Sequence, residues 1–331
     1  MQPSIAIVLV AARGPEDIAA TYHHLLRQTR ADAIELVLVG PPGCNFEPLL
    51  AASDEQRFGG IKTHHTDRPI DNVDAVAAAG ILIAEAPVVA IVEDHAYPEP
   101  TWTQAMLAAW ETRDPEGRRW AAIGSTVCNA NPDTLLSWAN LTMAYGFYTE
   151  PTRRGVTRQI SRHNITFDRA ALQPHLEDLE HLLTRGGGLL ERLQADGGRF
   201  TLEPTARVRH VNPSKLSSTL RLRVDAGRLA AAGRASRERW STPRRALYVA
   251  AAPLLPLMRL RPMLPKLRQQ GTALPRRGTA ALLGCTLDGL GQALGFAFGG
   301  GRSAERLAGF EHDRLRHLTQ SDRARLEADL V

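Results

Sequence analysis

The chain has 331 residues, of which 44% are hydrophobic, 23% charged and 5% aromatic. That is room for one large domain with a smaller one beside it, and it excludes collagen, coiled coil, mini-protein and disordered chain. The formal charge of +5 is unevenly spread: Arg207 to Arg245 carries eleven Lys or Arg and two acids, a local +9 that leaves the rest at −4. With so few aromatics and no reading motif, a nucleic-acid partner is not expected. Cys44, Cys128 and Cys285 are far apart and form no C-x-x-C, so neither a disulfide framework nor a zinc cluster is expected, and a cytoplasmic setting is.

The opening apolar run Ile5–Val10 lacks a basic leader and reads as a first strand. Further short β-branched runs at Ile34–Val39, Gly60–Thr63, Val88–Val92 and Ala121–Ser125 alternate with stretches of helical spacing at Pro15–Gln28 and Asn72–Glu85. This order predicts an α/β fold, a mostly parallel sheet with helices on both faces and ligand sites at the carboxyl ends of its strands. After Gly124 the pattern loosens into an aromatic-containing region. A helix around Leu189–Ala195 ends at Gly197-Gly198, and two strand-like pieces follow at Arg199–Leu202 and Arg207–Val211. From Leu216 the chain reads helical, so the expected division is a domain over 1–215 and a basic, apolar helical extension over 216–331. Arg259, Arg261 and Asp288 interrupt the two long apolar segments of that extension, and no membrane span is expected.

The most informative stretch is Val88-Val-Ala-Ile-Val-Glu93-Asp94-His95-Ala-Tyr-Pro98. Buried strands do not end in Glu-Asp-His by propensity. Asp94 and His95 at a carboxyl strand end can hold a divalent cation such as Mg²⁺ or Mn²⁺, which neutralises a diphosphate leaving group. The alternative is a solvated turn with Asp94 capping the next helix.

Here the chain resembles the inverting family 2 glycosyltransferases with the GT-A fold, in the subgroup where Glu-Asp-His replaces D-x-D and P-x-P-x-W follows. The resemblance extends to Leu25-Leu26-Arg27-Gln28-Thr29 and Cys128-Asn129-Ala130-Asn131-Pro132. It continues through Ser137-Trp138-Ala139, His163-Asn164-Ile165-Thr166-Phe167 and Glu203-Pro204-Thr205-Ala206-Arg207-Val208-Arg209-His210. It implies transfer of a sugar, with inversion, from a nucleotide-diphosphate sugar to a glycan, lipid-linked or small-molecule acceptor. It also implies a cation on Asp94, His95 and His210, and donor contacts from Arg13, Glu93, Asp94, His163 and Asn164.

The departures matter too. The second strand ends Val39-Gly40-Pro41 where relatives carry a base-holding Asp, and the Ala-Arg-Asn-Ala-Gly signature reads Val76-Ala77-Ala78-Ala79-Gly80. The place of the catalytic base falls on Thr184-Arg185-Gly186-Gly187-Gly188, which has no acid. Glu180 and Glu191 are the nearest carboxylates able to take the acceptor's proton. A second reading follows: a catalytically weakened GT-A-like protein that binds nucleotide, glycan or a partner glycosyltransferase.

The basic block beside Leu254, Leu255, Leu257, Met258 and Leu260 reads either as a foot on an anionic membrane, placing the protein on the inner face of the cell membrane, or as a helical cap.

Overall fold

The computed structural model describes residues 3–50, 56–184, 187–269, 274–311 and 314–330. They fall into two compact units: residues 1–128 with 152–210, and residues 129–151 with 211–329. The second unit therefore takes a piece from the middle of the chain as well as its C-terminal part.

The first unit is built on an eight-stranded sheet, β1 (Ile5–Val10), β2 (Ile34–Gly40), β3 (Gly60–His65), β4 (Val88–Ile91), β5 (Ala96–Pro98), β6 (Ala122–Asn129), β7 (Ile165–Asp168) and β8 (Phe200–His210). Their spatial order is β3-β2-β1-β4-β7-β6-β8-β5. The pairs β3–β2, β2–β1 and β1–β4 are parallel, whereas β4–β7, β7–β6 and β8–β5 are antiparallel. The sheet is thus mixed: its parallel part is the first four of the five strands that the opening alternation predicts, and the fifth, expected at Ala121–Ser125, lies in β6, which runs antiparallel to β7.

Helices cover both faces of that sheet. Successive side chains of a strand point to opposite faces, and β1 shows both destinations. Ile5, Ile7 and Leu9 enter a core with Leu25 of α1 (Ala19–Leu26) and with Trp102 and Met106 of a later helix. Ala6 and Val8 enter a second core with Ala77 and Ile81 of α2 (Val73–Ile83). The later helix on the first face is α3 (Trp102–Trp110). A run that is apolar at every position is what such two-sided burial requires.

After β6 come α4 (Leu135–Tyr145), α5 (Arg169–Leu172), α6 (Leu179–Leu183) and α7 (Leu189–Ala195). Gly197 closes α7 at φ 85°, and Gly198 N–H donates to Leu193 O at 2.8 Å, the C-terminal cap that the Gly-Gly pair predicts. The two strand-like pieces expected at Arg199–Leu202 and Arg207–Val211 form one strand, β8. Pro204 lies inside this strand, outside the stretch Val208–His210 that pairs with β5.

The second unit is helical, as expected from Leu216 onward. It holds α4 and then α8 (Leu216–Arg237), α9 (Thr242–Ala250), α10 (Leu255–Arg268), α11 (Leu274–Phe298), α12 (Ser303–Glu311) and α13 (Gln320–Leu330). Within α11, Pro275–Phe298 is long and apolar enough to cross a membrane by length and composition. Asp288 interrupts it, accepting bonds from Arg259 of α10 and from Gln292. Glycines bring α11 against α8: a Cβ on Gly291 would lie 2.1 Å from Val224 O, one on Gly295 2.3 Å from Arg228 O, and one on Gly227 2.2 Å from Asp288 O.

Candidate metal and donor site

The turn between β4 and β5 is fixed before any ligand is considered. Thr21 of α1 donates its hydroxyl to Asp94 O at 2.7 Å, and Ala96 N–H closes the turn on Glu93 O at 3.2 Å. Strand pairing then sets Ala96 opposite His210, and His95, the residue before Ala96, meets it there, with ring centroids of His95 and His210 4.7 Å apart.

Three potential ligand atoms converge there. One atom each of Glu93, His95 and His210 lie within 4.8 Å of one another. His95 Nε2 is 3.9 Å from Glu93 Oε1, and His210 Nε2 is 3.6 Å from Glu93 Oε2. A cation about 2.0–2.2 Å from each donor requires donor separations of roughly 3–4.4 Å, a window that both distances fall in. The carboxylate in this group is Glu93. Asp94 instead holds His95, its Oδ1 2.5 Å from Nδ1, which leaves Nε2 as the imidazole atom turned toward Glu93. Carboxylates behind ligating histidines fix ring orientation in this way.

A second layer holds Glu93. Asn164 donates its amide to Glu93 Oε2 at 2.7 Å and accepts from Glu93 N–H at 3.3 Å. It is fully buried and sits at φ 54°, a left-handed conformation that Asn tolerates better than most residues. His163 Nδ1 lies 2.9 Å from Glu93 Oε1, and its Nε2 lies 2.8 Å from Asp74 Oδ1. Asp74 is in the first turn of α2, capped by Asn72, and also accepts from Arg162 at 3.2 Å.

The charges follow from these contacts. Burial opposes ionisation of Glu93, but His163, His95 and His210 outweigh it and hold the carboxyl well below its ordinary range. Burial likewise opposes a charged His163, yet Glu93 and Asp74 raise it from 6.5 to about 10. Asp74 lies below its usual value despite burial, because of His163 and Arg162.

The remaining candidates lie apart from this cluster in their contacts. Arg13, in the turn after β1, is engaged by Asp17, with Nη2 to Oδ1 at 2.7 Å. Glu180 on α6 and Glu191 in the first turn of α7 are exposed, and neither is hydrogen-bonded or ion-paired to the cluster. Of the segment Thr184–Gly188, Arg185 and Gly186 lie outside the described residues. A Cβ on Gly187 would stand 2.0 Å from His181 O, and Gly188 takes φ 85° as it enters α7, so both glycines meet backbone requirements. In the second unit, Asn131 and Asn212 exchange bonds at 2.8 and 2.9 Å, and Asn129 accepts from Ser137 and Asn212, giving the Cys128–Pro132 region a structural role. Trp102 is core, donating to Ser125 Oγ at 2.9 Å, and the guanidinium of Arg277 lies 4.0 Å over the ring of Trp138.

Asp74, Arg162 and Thr21 are missing from the sequence reading. Asp74 looks there like an ordinary acid in the first turn of a helix, and nothing local marks its partner 89 residues away.

No family model matches the sequence, and no curated protein matches it. Solved structures do show likeness. Staphylococcus aureus TarS 1-349 aligns over 67% of this chain and 64% of its own, at 14% identity and TM-score 0.46. The same protein in complex with UDP aligns over 88% and 90%, at 12% identity and TM-score 0.47. GalNAc-T7 with UDP, GalNAc and Mn²⁺ aligns over 63% and 43%, at 16% identity and TM-score 0.45. The chain thus spans less than two thirds of the length of the first and third of these.

Proposed function

We propose that the protein is a GT-A glycosyltransferase that moves a sugar, with inversion, from a nucleotide-diphosphate sugar to a glycan, lipid-linked or small-molecule acceptor. The observation that carries this reading is the convergence of Glu93, His95 and His210 at the carboxyl end of β4, beside the parallel part of the sheet, where α/β folds collect their ligands. A divalent cation on these three residues would supply charge neutralisation for a departing diphosphate. Two imidazoles and one carboxylate suit Mn²⁺ better than Mg²⁺.

This chain's own groups then have separate tasks. Asp94 orients His95. Asn164 and His163 keep Glu93 in place and ionised, and Asp74 with Arg162 anchors His163. Arg13 lies in the turn after β1, where donor phosphates approach. A base for the acceptor hydroxyl has to come from outside the cluster, since Glu93 and Asp94 are both held by neighbours. Glu191 and Glu180 are the residues assigned to that role. Their lack of contact with the cluster favours a second reading, in which the protein binds a nucleotide sugar with little turnover and serves as a partner.

The test is calorimetric titration of UDP-, GDP- and dTDP-sugars with and without Mn²⁺, followed by a release assay for the nucleoside diphosphate. Metal-dependent binding with turnover lost in Glu191→Gln or Glu180→Gln supports the transferase. Binding without turnover in the wild type supports the second reading, and absence of nucleotide binding by the folded chain ends both.

A further inference from the structure

Helices α9 and α10 of the second unit carry exposed apolar side chains. Leu247 on α9 is 66% exposed, while Leu254, Leu257 and Met258 around the start of α10 are 58%, 63% and 64% exposed. Positions 254, 257, 258 and 261 are spaced i, i+3, i+4, i+7 and share one side of the helix. Met263 and Leu267 are buried with Cys285 on the opposite side. The segment is therefore apolar on both sides, which a helix facing water on one side does not need. It is also one-signed in charge: residues 242–268 hold six Lys or Arg and no acid. Arg259 is neutralised by Asp288, and Arg244 reaches Glu238 at 3.2 Å. Arg261, which shares the leucine face, and Arg268 are exposed.

We infer that this face of α9 and α10 docks on an anionic phospholipid surface, with Leu247, Leu254, Leu257 and Met258 entering the interface and Arg261 and Arg268 meeting the headgroups. The structure alters the set expected from the sequence, turning Leu255 and Leu260 partly inward and adding Leu247. A second copy is a poor occupant, because an isologous contact places the same cationic, acid-free segment against itself. A bilayer with negative headgroups satisfies both features of the face at once: the apolar side chains leave water, and the arginines find anions. The inference rests on the second unit alone and is independent of the transfer reaction.

The experiment is co-sedimentation of the full chain with vesicles of phosphatidylglycerol and phosphatidylcholine, against phosphatidylcholine alone, with size exclusion in parallel. The wild type is expected to sediment with the anionic vesicles and to release as salt rises. L257D/M258D is expected to weaken binding by more than about tenfold while leaving the thermal transition in place, because both side chains are already in water. R261E/R268E removes no apolar contact, and a loss of at least about fivefold per arginine is expected, because each change reverses a charge and does more than remove it; this pair decides the question if the first variant misfolds. The inference is overturned if the wild type stays in the supernatant at low salt, if both variants bind like the wild type, or if L257D/M258D splits a wild-type dimer that never binds vesicles.

Discussion

Glu93 is the residue on which the site turns. A carboxylate this enclosed is costly unless several groups share its charge, and Asn164, His163, His95 and His210 all lie against it. His163 is held at about 10. Its folded value stands above the ordinary 6.5, so the stability it contributes is complete below the unfolded value and drains away as the pH rises toward the folded one. The stability gap between the wild type and His163→Gln, measured by urea denaturation, is therefore expected to be at its full value below about pH 6.5 and to shrink as the pH rises toward about 10; a gap that widens with pH contradicts this assignment. Asn164→Ala removes a fully buried amide bonded to Glu93 and is expected to destabilise the fold by about 1–3 kcal/mol. The Glu-Asp-His run is visible in the sequence because acids and histidine do not belong at the end of a buried strand. The division of labour inside it is not: which of Glu93 and Asp94 faces the histidine pair depends on the turn that Thr21 clamps.

At the scale of elements, the legible parts are those whose burial pattern is local. The strands β1, β2 and β4 follow from near-continuous apolar runs, and the end of α7 from its Gly-Gly pair. The joining of two strand-like pieces into β8 is not legible, since the gap between them contains Pro204, a residue disfavoured inside strands. The glycines of α11 give a sharper case. In the sequence they mark a Gly-rich apolar segment; in the fold, Gly291 and Gly295 lie one turn apart against the α8 backbone. Ala in place of Gly gains about 1 kcal/mol of helix propensity, but a Cβ at 291 meets a carbonyl oxygen at 2.1 Å that no rotamer change can relieve. Gly291→Ala is accordingly expected to lower stability by about 1–3 kcal/mol, read as a lower thermal midpoint; an unchanged or raised midpoint contradicts the close packing of α8 and α11.

Across the whole molecule, the +5 of the composition resolves into unlike parts. The first unit assembles acids and histidines into one half-buried cluster, and the second carries most of the arginine block with exposed leucines. The helical character of the C-terminal part is legible from spacing, while the membership of residues 129–151 in the second unit is not, because their partners, such as Asn212 and Thr219, lie more than seventy residues downstream. The central claim is that Glu93, His95 and His210 form a divalent-cation site with Asp94 behind it. Titration of Mn²⁺ into the full chain, followed by electron paramagnetic resonance, tests it most directly. The claim predicts one bound ion per chain, lost in His95→Ala and in His210→Ala and weakened about 10–100-fold in Asp94→Asn, as expected of a group that orients a ligand. Mn²⁺ binding that is unchanged in both histidine variants, or absent from the folded wild type, contradicts it.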